Sequence, residues 1–245
     1  MTYFGNNEQF LNISQGIFDG TTKILKFGRN DTMASGVRED IWDGSSLYTW
    51  PSTADITHIK GATTGDEGLT IEVQGLDASY ALVTQEKALD GSDATTLVAL
   101  DTALIRVFRM KVVDATDATD AVQCYNSAGT TLYSSITVPF NQTLMALYTV
   151  PAGKTAYLTR YYCMINKKVN ASIEIELYVR PFGQVFQLKH NGVIASGGDA
   201  HWDFNFFPHS PPMKIEAKSD IKITGIASAA GVDSSAGFDL ILVDD

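Results

Sequence analysis

Ser172-Ile173-Glu174-Ile175-Glu176-Leu177-Tyr178-Val179-Arg180 alternates apolar and polar side chains along its whole length. That two-residue period is the period of a β-strand, whose successive side chains point to opposite faces, so it predicts a strand with one face in a core and the Glu174 and Glu176 face in water. The same signal recurs on both sides. Residues 69–77, 80–86, 105–112, 122–125, 131–133, 135–138, 145–150 and 155–162 read as strands, and so do 185–188, 202–207, 213–215, 221–224 and 238–243. In 105–112 the Arg and Lys positions are expected on the wet face. Turn chemistry punctuates the runs, as in Asp90-Gly91-Ser92-Asp93 and Pro151-Ala152-Gly153-Lys154. Hardly a window suits a helix. Many short strands at turn-punctuated intervals predict an all-β chain, an antiparallel β-sandwich of jelly-roll-like topology.

The 245 residues suffice for two packed sandwiches, expected over 47–142 and 143–245. Gln142-Thr143 between them is too short for a flexible linker, so the halves should pack rigidly. A first strand and hairpin are expected from Trp42 to Ile59. Residues 1–46 read as an extended N-terminal arm in which Phe4, Phe10, Leu11, Ile13, Ile17, Phe18, Ile24, Leu25 and Phe27 are scattered among Asn, Gly, Thr and Gln. Such a segment makes no core of its own. Its apolar side chains need cover from the body, from a neighbouring copy or from another protein.

Apolar residues make up 44% of the chain and charged residues 19%, the balance of a folding sequence. A formal net charge of −10 opposes direct contact with nucleic acid and with anionic membrane. No stretch approaches the roughly 18 consecutive apolar residues of a membrane-spanning helix. The start, Met1-Thr2-Tyr3-Phe4-Gly5, lacks a basic lead and an apolar core, so folding in a cytosol is expected. Cys124 and Cys163, each beside tyrosines, are expected as free thiols.

The catalytic signatures are missing. No Gly-x-Ser-x-Gly elbow occurs, and the glycines lie singly in turns and not in a phosphate or dinucleotide loop, so neither a catalytic site nor a cofactor is expected. Glu174 and Glu176 could form a glycosidase pair, but they share the solvated face of their strand and read as surface charge. His190, His201 and His209 match no metal spacing; His190-Asn191-Gly192 reads as a turn and His209-Ser210-Pro211-Pro212 as a loop. The Asp114, Asp117 and Asp120 series lacks the every-second-residue pattern of a calcium loop and reads as an acidic loop. Trp202, in Trp202-Asp203-Phe204-Asn205-Phe206-Phe207, is either a surface aromatic able to carry a sugar or one of several alternating core aromatics.

Residues 145–160, from Met145-Ala146-Leu147-Tyr148 to Leu158-Thr159-Arg160, resemble a module of virion structural proteins from marine and freshwater tailed bacteriophages. Tyr178-Val179-Arg180-Pro181, residues 215–221 and 236–243, Phe27-Gly28-Arg29-Asn30 and residues 39–44 are similar to the same family, so the resemblance covers most of 27–245. It implies a non-enzymatic head protein, a decoration or cement protein on an icosahedral capsid. It also implies a homotrimer on a local three-fold axis that contacts the major capsid protein and is assembled in the bacterial cytoplasm. In that setting Lys23, Lys26 and Arg29 become candidates for pairing with an acidic capsid surface, beside Phe4, Phe10, Leu11, Ile17, Phe18 and Phe27 as apolar contacts. Deleting residues 1–40 would then leave a folded body that no longer attaches. The alternatives are a tail-fibre or receptor-binding module that recognises glycan, and a neck or tail adaptor.

Overall fold

The computed structural model describes residues 11–165, 171–196, 200–205 and 211–245, and for 196 and 200–205 it describes the backbone. Seventeen strands lie among them. In chain order they are β1 (Thr21–Met33), β2 (Arg38–Asp40), β3 (Ile56–Gly61), β4 (Thr70–Leu76), β5 (Leu82–Ala88), β6 (Val98–Leu104), β7 (Arg106–Val112), β8 (Val122–Tyr125), β9 (Leu132–Ile136), β10 (Leu147–Thr149), β11 (Lys154–Ile165), β12 (Ala171–Arg180), β13 (Gln187–Ser196), β14 (Ala200–Asn205), β15 (Met213–Ile215), β16 (Asp220–Ala227) and β17 (Val232–Asp244). The chain is all-β and sandwich-built, with jelly-roll-like topology.

One sandwich stacks the sheet β6-β3-β8-β9 on the sheet β5-β4-β7. The other stacks β1-β17-β11-β14, with β15 beside β11, on β10-β16-β12-β13, with β2 beside β16. All the strand pairings are antiparallel. The chain crosses between these two sheets from β11 to β12, from β13 to β14, from β15 to β16 and from β16 to β17, which is what makes the layout jelly-roll-like. β12 shows why the sequence folds this way. Ile173, Ile175, Leu177 and Val179 all point into the core and are buried, together with Ile221 and Ile223 from β16 and Phe238 and Leu240 from β17.

Residues 21–33, expected within an extended N-terminal arm, are a regular sheet strand. β1 pairs with β17 from Thr21↔Val243 to Met33↔Val232, and Met33 and Ile41 are fully buried in the larger core. Deleting residues 1–40 would strip an edge strand and open that core, so the expectation that a folded body survives is corrected. Of the described residues, 11–20 precede that strand.

The described residues form two cores, and residues 144–150 are the seam between them. Met145 and Leu147 face the core of the first sandwich, whereas Ala146, Tyr148 and Val150 face the other. Leu147, Tyr148 and Thr149 are consecutive and all buried, which a strand permits only when both of its faces are covered. The first sandwich returns the contact through Leu76, Ile105 and Phe108, which join the larger core, and the Phe108 and Tyr148 rings lie 4.9 Å apart.

A buried ionic knot crosses the same boundary. Asp220, at the head of β16, accepts from Arg106 Nε at 2.8 Å and Nη2 at 3.2 Å, from Arg180 Nε at 2.8 Å, and from the Thr149 hydroxyl. Arg106 also donates to the Pro51 and Ile105 carbonyls. Its expected place on a wet face is therefore corrected: the start of β7 abuts the second sandwich, and the guanidinium is buried because its partners are there. Glu176 is corrected likewise. Arg38 grips it through Nε–Oε2 at 2.6 Å and Nη2–Oε1 at 2.9 Å, and Thr224 donates to it, so the face expected to be solvated is closed by a side chain from β2. His190-Asn191-Gly192, expected as a turn, runs straight through β13.

Candidate interaction surface

β1 alternates against the sheet below it. Lys26, Gly28 and Asn30 point inward and are buried, while Lys23, Leu25, Phe27 and Asp31 face out. Leu25 is 57% exposed and Phe27 41%, which leaves two large apolar side chains on the outer face of the sheet. The register extends this face. Phe27 lies opposite Gly237 and Gly237 opposite Tyr162; in the next row Arg29 lies opposite Ser235 and Ser235 opposite Met164. Gly237 has a reason to be glycine, because a Cβ there would stand 2.4 Å from the Tyr162 hydroxyl. The tyrosine ring thus fills the space between the rows. With Phe140 and Leu144 from the preceding loop, these residues wall an open groove of about 410 Å³. Phe140 and Met164 are themselves exposed.

The residues read from sequence as contacts are placed differently from one another. Leu11, Ile17 and Phe18 are exposed on the segment before β1, where residues 11–14 form a helical turn. Lys23 and Phe27 are exposed on β1 itself. Arg29 is already engaged: its Nε and Nη2 bond the Asp233 carboxylate at 2.9 and 2.8 Å, and its guanidinium lies over the Phe140 ring. Phe4 and Phe10 lie outside the described residues. Trp202 falls on β14 opposite Cys163, and its side chain is outside the described ones. Tyr162 and Met164 were not found from sequence, because only the long-range register brings them beside β1, and Phe140 joins them from the loop between β9 and β10, under the Arg29 guanidinium.

Lys26 is no contact residue. It is buried, donates to the Phe108 carbonyl and lies over the Phe108 ring, so its candidacy as a partner for capsid acids is corrected. An inward position on β1 put it against the first sandwich. Burial, aided by the nearby Arg109 charge, pulls its ammonium from the ordinary 10.5 down to about 7. The unfolded chain therefore binds more protons than the folded one between about pH 7 and 10.5, and stability rises with pH across that window by up to about 1.4 kcal/mol per pH unit. Urea midpoints measured at about pH 7 and about pH 9.5, which together span most of that window, should show the higher pH more stable in the parent. The gap should close in Lys26→Met. Equal gaps in both proteins would mean the amine is not desolvated.

Among the described residues no catalytic constellation accompanies this face. Cys124 and Cys163 are free, sit in separate cores, and are pushed up to about 12 by burial, so neither thiol is a nucleophile at neutral pH. Glu176 is held by Arg38, and Glu174 accepts from Asn191. Among the described residues no group of His, Cys, Asp or Glu is arranged to hold a metal ion. His190 contacts Tyr161, and the side chains of His201 and His209 lie outside the described ones.

No protein-family profile matches the chain, and no curated protein matches it in sequence. The chain is similar to solved structures of virus particles. They include infectious bursal disease virus of the Gx strain, at 13% identity with 91% of this chain and 72% of that one covered and a TM-score of 0.29. The VP2 subviral particle of infectious bursal disease virus follows at 9% identity, with coverage of 92% and 73% and a TM-score of 0.27. The empty top component of cowpea mosaic virus matches at 8% identity over 86% of this chain and 85% of that one, with a TM-score of 0.24. At these scores the overlaps are loose, and they carry nothing about the role of this chain.

Proposed function

We propose that this chain is a non-enzymatic structural protein of a tailed-phage particle. In this reading it decorates and cements the surface of the icosahedral head, and it attaches through the outer face of β1 and the segment before it. The observation that carries the reading is the apolar groove around Phe27, Phe140, Tyr162 and Met164, continued by the exposed Leu25. Contiguous exposed apolar surface on an otherwise charged protein marks a contact site, because leaving it in water forgoes the hydrophobic gain of covering it. The resemblance of residues 27–245 to phage virion proteins points the same way. Lys23 at the rim offers a cation to an acidic neighbour. The partner is the major capsid protein, and three copies meet on a local three-fold axis. Repetition over a shell lets modest single contacts hold through multivalency.

Copy number in purified particles tests the location: hundreds of copies fit the shell, a dozen or fewer the tail. The face is tested by Leu25→Asp combined with Phe27→Asp. Both side chains point outward, so the double variant should keep the parent's circular dichroism and thermal midpoint. Its attachment to stripped heads should fall by about tenfold or more, a loss of about 1.4 kcal/mol per site before avidity multiplies it. Undiminished attachment by a folded double variant would remove β1 from the interface.

A further inference from the structure

We infer that the cleft between the two sandwiches, walled by Trp50, Tyr80, Arg180, Phe182, Gln184 and Lys218, is a binding site for a carboxylate-bearing sugar of the uronic-acid type. The cleft shares no lining residue with the groove beside β1, so the inference stands independently of the attachment reading. Charge is the first observation. Arg106, Arg180 and Lys218 line the cleft with one carboxylate, Asp220, which leaves an excess of positive charge in a chain of net charge −10. Arg106 is engaged by Asp220 and two carbonyls. Arg180 spends Nε and Nη2 on Asp220, and its Nη1 has no acceptor among the described residues. The Lys218 ammonium makes no ion pair among them; it stands 5.5 Å from the Tyr80 ring centre and 5.2 Å from that of Phe182.

Cations held against rings are dehydrated on one side, which raises their attraction for an anion on the other. Backbone geometry adds a second observation. Lys218 and Tyr80, the two members of one cation–ring pair, are both held at positive φ, +62° and +65°. Only glycine takes that region without strain, and a bulky residue there is a genuine outlier. A turn that merely reversed the chain between β15 and β16 would be easier with glycine. Lysine at this point keeps an ammonium over the cleft, which is the pattern of strain retained at a binding site.

The shape favours a sugar. At about 240 Å³ the cleft is smaller than the roughly 300–1,000 Å³ of sites for drug-sized ligands, which suits one pyranose ring. Phe182, 59% exposed on the turn closed by Gln184 N–H to the Pro181 carbonyl, offers a ring face for the sugar's C–H groups. The Gln184 amide and Ser52 hydroxyl can meet ring hydroxyls, while the carboxylate bridges Lys218 and Arg180 Nη1.

Titration of the full chain with trigalacturonate and with its neutral analogue trigalactose, followed by calorimetry or amide chemical shifts, tests this. The acidic trimer should bind with a Kd of about 1 mM or tighter and weaken as salt is raised, and the neutral trimer should not bind measurably. Lys218→Gly removes ammonium and strain together, so it should raise or preserve the thermal midpoint while weakening the acidic trimer by about tenfold or more. Absence of binding by trigalacturonate, equal binding of the neutral trimer, or unchanged binding in Lys218→Gly would each overturn the assignment. So would a salt-sensitive self-association, lost in Lys218→Gly, without sugar binding, which would give the cleft to an acidic side chain of a second copy.

Discussion

Replacing Asp220 with Asn should lower the unfolding free energy by about 3–5 kcal/mol, read as a fall in the urea midpoint at unchanged slope. Asp220 and Arg106 are 4% and 6% exposed at the side chain, so neither charge is rescued by water when the other goes. The carboxylate receives donors from Arg106, Arg180 and Thr149, which arrive from three strands of both sandwiches. An asparagine keeps the shape but presents one acceptor oxygen and an amide that faces guanidinium N–H groups. Arg106 is then left in a low-dielectric site without its counter-ion, which is the costly way to break a buried pair, while Arg180, 25% exposed, loses the same partner at the cleft wall. Arg29 and Asp233 provide the internal control. Their geometry is as good, with two bonds near 2.9 Å, but their side chains are 33% and 23% exposed, so Asp233→Asn should cost less than about 1 kcal/mol. Equal small losses in the two variants would show that water reaches the knot.

Much of the strand content was legible because it obeys the two-residue period, and 172–180 is the clearest case. What stayed hidden shares one cause: a polar or apolar side chain whose partner is far away in sequence. Glu176 looked solvated because nothing near it says that Arg38, 138 residues earlier, lies across it. Arg106 looked wet because Asp220 is 114 residues later. β1 gave no regular strand pattern for the complementary reason. Its outward positions carry Leu25 and Phe27 and an inward one carries Lys26, so the apolar pattern is inverted where the strand covers the first sandwich and presents its groove. β6 has no pattern at all; of its residues only Leu100 and Leu104 are buried. The groove followed the same rule. Phe27 was picked out from the sequence, but Tyr162 and Met164 join it only through the β1–β17–β11 register.

Gly28→Ala tests whether β1 belongs to the body. A Cβ at residue 28 would stand 2.2 Å from the Ile41 carbonyl oxygen and 2.3 Å from the Ala146 nitrogen. Those two atoms are bonded to each other, N–H to carbonyl at 3.0 Å, in the seam between the cores. β1 therefore lies directly on a backbone hydrogen bond, at a distance that no side chain fits. Both obstacles are main chain and neither can turn aside as a flexible side chain would. The methyl must lift β1 off the seam or break the Ile41–Ala146 bond, and either movement loosens Met33 and Ile41, which are fully buried in the larger core. Overpacking of this kind costs about 3 kcal/mol or more where the neighbours cannot yield. A detachable arm predicts the opposite sign, because Gly→Ala in a segment free to accommodate it restricts the unfolded chain and stabilises by about 0.4–1 kcal/mol. Urea unfolding of Gly28→Ala separates the two by direction as well as size. A variant as stable as the parent, or more so, would mean that β1 is not seated on the seam and that residues before Arg38 can leave the body intact.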